Sequence, residues 1–274
     1  RTEAKSFTSG IRPIGVPRTA EGVNGSTVAR RRLTWGSPWA AFSASSRMTF
    51  APAAGRTVVK CCASREAGEA VVAGIRAAGG EAMLVAGDAM NEAEIDRMAG
   101  EIEAGFGPVD IVVANATPPQ PMKALEDYTW EEHQSMVDAF IKSPFLLSKR
   151  LVPGMKERRE GRIINITSEV FHASVPQFSA YVAAKGGQIG WSRSVANELA
   201  PHGITVNTVA PGWIPVERHD EVPECDKAKY LTTVPVGRWG TPADIAHAVA
   251  YFAARESSFV TGQTLIVNGG RTPW

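Results

Sequence analysis

From Ala53 onward, short apolar runs rich in β-branched residues alternate with stretches of helical spacing, and that alternation constrains the fold of this 274-residue chain more than anything else in it. Arg56–Cys62 (RTVVKCC) has strand content, and Arg65–Ala78 carries helical spacing that stops at Gly79-Gly80, a helix C-terminal signal. The apolar run Ala82–Ala86 reads as a strand, and Asn91 with Glu94 three residues on reads as a capping box for a helix reaching Gly107. Asp110–Ala114 (DIVVA) is nearly all apolar, as a strand buried on both faces should be. Thr129 and Glu132 repeat the capping signature. Arg162–Thr167 (RIINIT) is a buried strand, Ser179–Leu199 a long helix, and Thr205–Ala210 a strand. Thr241-Pro242 with Asp244 opens another helix, and Thr264–Val267 closes the series. Such alternation predicts an α/β fold, a doubly wound, Rossmann-like parallel sheet that binds ligands at the carboxyl ends of its strands.

Residues 1–52 break the pattern. They hold eight Lys/Arg against only Glu3 and Glu21, and show no strand–turn–helix. Three readings stand: an Arg- and Ser-rich targeting extension, a disordered basic tail, or a stretch read in the wrong frame. The last has a codon-level argument. Tryptophan has one codon, TGG, and Trp35 and Trp39 each precede a residue whose codon begins with G, so a shift of one base turns both into glycine. The expected division is therefore an atypical segment 1–52 and a Rossmann-like domain 53–274.

Bulk properties exclude several classes. With 29 basic and 28 acidic residues the net charge is +1, so no bulk field recruits nucleic acid or an anionic membrane. No apolar run approaches the roughly 18 residues of a membrane helix. Of three cysteines, Cys61 and Cys62 are adjacent and make no disulfide framework, which points to a reducing, cytoplasmic setting.

The chemistry-bearing residues gather late in the chain. Tyr181 and Lys185 stand four apart in a helical pattern, hence on one face. Ser168 lies thirteen positions before Tyr181, where the RIINIT strand ends. An ammonium about 4 Å from a phenol favours the phenolate by about 4 kcal/mol at an effective dielectric of about 20, which draws the phenol toward proton exchange at neutral pH.

With these residues the chain resembles the short-chain dehydrogenase/reductase family, in a 3-oxoacyl-ACP-reductase-like form, over about Ala53 to the C-terminus. The resemblance implies an NAD(P)-dependent oxidoreductase that moves a hydride between NADP(H) and a carbonyl or alcohol. In it Tyr181 is the general acid/base, Ser168 holds the substrate oxygen, and Lys185 also holds the nicotinamide ribose. It further implies that Asn115 and Ala116 lie along the cofactor, that Asp88 meets the adenine, and that Pro211, Gly212 and Ile214 face the nicotinamide carboxamide. Thr261–Gln263 and Asn268–Gly270 match a segment at subunit interfaces, and a homotetramer is implied. After the second strand the chain offers Ser64 and Arg65 instead of an acid, which favours NADP(H) over NAD(H), because a guanidinium pairs with the 2′-phosphate.

Three departures stand out. Phe140 occupies the place of a family asparagine in a proton relay, and Pro144 should disturb its helix. Val216 replaces a frequent threonine. No glycine-rich loop precedes the second strand, where the pyrophosphate would sit. Two further readings follow from these departures: a cofactor-independent lyase resembling the halohydrin dehalogenases, and a non-catalytic oligomer.

Overall fold

A computed structural model describes residues 40–44, 47–51, 56–62, 65–216 and 219–273. Ser64 and positions 1–39, on which most of the N-terminal readings fall, lie outside them. Strand β3 (Arg56–Cys61) pairs in parallel with β4 (Glu81–Ala86) across the helical crossover α1 (Arg65–Ala77). A second parallel sheet has the order β5 (Ile111–Ala114), β6 (Gly161–Ile166), β7 (Ile204–Pro211), β8 (Thr264–Val267). The further α-helices are α2 (Glu92–Phe106), α3 (Trp130–Val137), α4 (Ser143–Arg158), the single turn α5 (Val170–Ala173), α6 (Ser179–Leu199), α7 (Glu224–Leu231) and α8 (Pro242–Ala253). The mixed α/β architecture with parallel sheets is the expected one.

Strand β6 is buried at all six positions because helices cover both of its faces. Ile163 packs with Met155 of α4, Leu199 of α6 and Val206 of β7. Its neighbour Ile164 turns the other way, toward Val209, Ile245 and Val249, the last two from α8. This is the two-residue alternation of a strand, with each such side chain contributing about 1.5–3 kcal/mol on burial.

One expectation fails instructively. β5 is not buried on both faces: Ile111 is exposed and Val112, Val113 and Ala114 are half-buried. Its apolar sequence suits a strand flanked on both edges, yet among the described residues it pairs only with β6. β1 (Ala40–Ala44) and β2 (Arg47–Ala51) do not fill the other edge. They pair antiparallel with each other and lie against α1 and α8.

Local signals are borne out with one amendment. Thr129 and Thr241 make full capping boxes with Glu132 and Asp244. Asn91 accepts from the Glu94 amide, but the Glu94 carboxylate turns to the Asp88 amide at 2.9 Å, so that box is half made. Pro144 acts as expected: lacking an N–H for the Phe140 carbonyl, it stands just after a π-helical turn, Asp138–Lys142. That turn places Phe140 in the interior at 2% exposure.

Candidate active site

Strand register lines up the chemistry-bearing residues along one rim. Ala114 pairs with Asn165, Ile166 with Val209, and Pro211 with Val267. Asn115, Thr167–Ser168, Gly212 and Asn268 therefore follow the last paired residues of four adjacent strands. The Glu169 amide donates to the Pro211 carbonyl and the Gly212 amide to that of Val267, which ties these strand ends together.

Helix α6 brings Tyr181 and Lys185 to this rim. The Lys185 ammonium donates to the Ile166 carbonyl at 2.7 Å and to Gln188 Oε1 at 3.3 Å. Ser192 on the same helix donates to the Gln188 carbonyl at 2.7 Å and accepts from Asn165 Nδ2 at 2.8 Å, a second tie between α6 and β6. Buried polar groups need such partners, so these bonds set the height of α6 on the strand.

Lys185 is buried, and its ammonium lies 3.6 Å from the centre of the Phe140 ring and 5.6 Å from that of Tyr181. The ring that stands where the resemblance implies an asparagine thus meets the lysine face-on, a contact worth about 2 kcal/mol when desolvated. The Tyr181 ring packs edge-on to Phe140 at 5.3 Å and against Phe178 at 4.9 Å. Ser168 is half-buried, and its hydroxyl accepts from the Val170 amide at 3.3 Å. Val170 in turn packs against the Tyr181 cluster. The three groups belong to one neighbourhood, although Tyr181 and Lys185 are more covered than an open pocket would leave them.

The positions at which the family resemblance expects a cofactor divide into two halves. On the nicotinamide side, a Cβ at Gly212 would come within 2.8 Å of Asn268 Cβ and of the Tyr230 hydroxyl, so this close approach needs glycine. The Ile214 side chain turns into the core against α8, so a ligand there meets its main chain. Asn115 is half-buried and Ala116 exposed at the end of β5. Thr167 Oγ1 is buried at this rim with no hydrogen-bond partner among the described residues, a group that a bound amide or hydroxyl would satisfy. These residues fit a nicotinamide riboside.

The adenosine side is less complete. Arg65 is exposed and its Nε donates to Glu69 one helical turn away at 2.9 Å. Asp88 Oδ1 accepts from the Met90 amide at 2.9 Å, as an ordinary turn acid does. Among the described residues no strand and helix N-terminus stand between β3 and β5 to receive the pyrophosphate.

Sequence reasoning missed a second cluster, centred on Glu169. Its buried carboxylate accepts from the Tyr230 hydroxyl at 2.7 Å and from Asn268 Nδ2 at 2.9 Å, and lies 3.1 Å from Arg271. Burial, with this acceptor, holds the Tyr230 phenol well above the usual range, so it remains a donor. The available signal was an acid directly after Ser168, the only Asp, Glu, Lys or Arg between Arg162 and Lys185. His219 is half-buried: its Nδ1 accepts from the Val216 amide and its ring meets Trp213 edge-on.

A cavity of about 130 Å³ is lined by Gly212, Trp213, Ile214, Tyr230, Val234 and Asn268, among others, and by none of Ser168, Tyr181 and Lys185. Among the described residues no group of three His, Cys, Asp or Glu is placed to hold a metal ion, and no helix is long and apolar enough to cross a membrane.

Comparison with known proteins places the chain in a family. A family profile described as enoyl-(acyl carrier protein) reductase matches residues 49–272. A 3-oxoacyl-[acyl-carrier-protein] reductase FabG from Staphylococcus aureus (strain N315) is 36% identical over 214 residues, which cover 77% of this chain and 86% of that protein. The protein of the same description from Escherichia coli (strain K12) is 38% identical over 210 residues, covering 76% and 84%. The chain belongs to the short-chain dehydrogenase/reductase family of oxidoreductases.

Proposed function

We propose that the chain is an NADPH-dependent reductase of a carbonyl substrate, with Tyr181 as general acid, and that a 3-oxoacyl thioester is its substrate class, as the names of its relatives suggest. The observation that carries this reading is the bond from Lys185 to the Ile166 carbonyl. It fixes the helical turn bearing Tyr181 to the strand end that leads, two residues later, into Ser168.

In this reading the substrate carbonyl oxygen accepts from the Ser168 hydroxyl and the Tyr181 phenol. The bound cofactor supplies the hydride that goes to the carbonyl carbon. The phenol proton passes to the oxygen, giving the alcohol, and the Lys185 ammonium stabilises the phenolate left behind. Lys185, Asn115 and the Pro211–Ile214 main chain hold the nicotinamide riboside. The preference for NADP(H) rests on Arg65, whose guanidinium exchanges Glu69 for the 2′-phosphate. Asp88 and Ser64 complete the adenosine side, and a homotetramer in the cytoplasm remains the expected state of the protein.

Titrating the purified chain with NADPH, and separately with NADH, tests the cofactor part. Saturable quenching of protein fluorescence with tighter binding of NADPH is expected. No binding of either nucleotide overturns the reading, and tighter binding of NADH overturns the choice between them.

The domain carrying this reading begins at Ala53. For residues 1–52 the shifted frame is the reading we take forward, since it turns Trp35 and Trp39 into two glycines where the phosphate loop is missing. Independent sequencing of the parent DNA tests it, and an intact frame removes it.

A further inference from the structure

Glu169 lies one residue beyond Ser168, and the residues that meet its carboxylate come from distant parts of the chain. Tyr230 belongs to α7, and Asn268 and Arg271 to the turn after β8. The Tyr230 hydroxyl does two things: it donates to Glu169 and accepts from the Trp213 amide at 2.7 Å. Arg271 adds a bond from Nε to Thr233 Oγ1 at 2.9 Å, and its guanidinium lies 5.0 Å from the centre of the Tyr230 ring. Around this polar centre the Tyr230 ring stacks on Trp239 at 5.4 Å, and Trp213 meets both rings edge-on.

We infer that Glu169 is a positioning residue: through Tyr230, Asn268 and Arg271 it holds the aromatic wall Trp213–Tyr230–Trp239 at a set distance from the strand end bearing Ser168 and, because Trp213 and Tyr230 line the cavity beside Gly212, sets how tightly the acyl part of the substrate is bound.

Three features favour a positioning role over mere packing. A buried carboxylate is costly unless fully partnered, and this one has a phenol, an amide and a guanidinium on it. Its partners lie on segments outside the sheet, so the sheet does not depend on them. Finally, α7 has no buried residue of its own, so hydrophobic burial does little to hold it. A helix without a buried face needs another anchor, and the bond from Tyr230 supplies one.

The inference rests on the reductase reading for its kinetic part alone. Glu169→Ala, the milder Glu169→Gln and Tyr230→Phe are compared with wild type. Hydrogen exchange over residues 213–231 and the steady-state constants for acetoacetyl-coenzyme A with NADPH are measured. Faster exchange in 213–231 is expected in Glu169→Ala and Tyr230→Phe, with strands β6 and β7 unchanged. KM should rise about tenfold or more while kcat changes less than about threefold, which corresponds to about 1.4 kcal/mol of lost binding at tenfold. Glu169→Gln keeps one acceptor oxygen and recovers part of both effects. Unchanged exchange in 213–231, exchange that rises equally in β6 and β7, or a fall in kcat with KM unmoved each overturns the inference. If the wild-type chain does not turn over the thioester, the reductase reading fails by itself, and the exchange measurement still decides whether Glu169 holds the wall.

Discussion

The ammonium of Lys185 faces the ring of Phe140 at 3.6 Å, where the family resemblance calls for an asparagine. Sequence comparison alone makes this substitution look like a damaged relay. In the structure the π-helical turn before Pro144 carries the ring over the lysine, so a hydrogen-bonding partner is replaced by a quadrupolar one. The lysine keeps its other bonds, to Ile166 and Gln188.

That contact predicts an energetic coupling. A thermodynamic cycle of Phe140→Leu and Lys185→Met, followed by urea denaturation, should return about 2 kcal/mol of favourable interaction, the size of a desolvated cation–π contact. Coupling of about zero would mean that the ring merely fills space.

A second prediction concerns acid. The Arg238 guanidinium bonds both oxygens of Asp244 at 2.9 Å, and the Thr241 amide adds a third bond. Together they hold this carboxyl well below the ordinary carboxylate range. A depressed value in the folded state means that the stabilisation is present above the unfolded carboxyl's value, about 4, and fades as pH falls below it. Arg238 is 58% exposed, so solvent screening keeps the contribution of the ion pair small. The Tm difference between wild type and Asp244→Asn should be steady from pH 7 to about 5 and shrink toward pH 2. A difference that stays constant down to pH 2 contradicts the assignment.

The core makes a third. Leu199, the last residue of α6, packs at 2% exposure against Ile163, Ile204 and Val206. Leu199→Ala should cost about 2–5 kcal/mol by chemical denaturation, and a loss below about 1 kcal/mol would show that this face of the sheet repacks freely.

Much of the fold was legible because its signals are local. The helix Ser179–Leu199 and the strand Thr264–Val267 have the limits their sequences imply. The caps at Thr129 and Thr241 follow from side chains three residues apart. The burial of β5 was not legible, because it depends on a neighbouring strand that a window over DIVVA does not contain. The ring over Lys185 was half legible: Phe140 and Pro144 were conspicuous, but their joint effect arises only once the backbone takes a π turn. Glu169 was invisible for a related reason, since its partners lie 61 and 99 positions away.

In the proposed reaction the phenol of Tyr181, backed by Lys185, delivers the proton at the Ser168 end of β6. That step is tested most directly by the rate of NADPH oxidation with acetoacetyl-coenzyme A for wild type and Tyr181→Phe. A measurable wild-type rate is expected, with a loss of about 10²–10⁴-fold in the variant, the usual worth of general acid catalysis, and a melting temperature nearly unchanged. A variant that reduces the thioester as fast as wild type would contradict it.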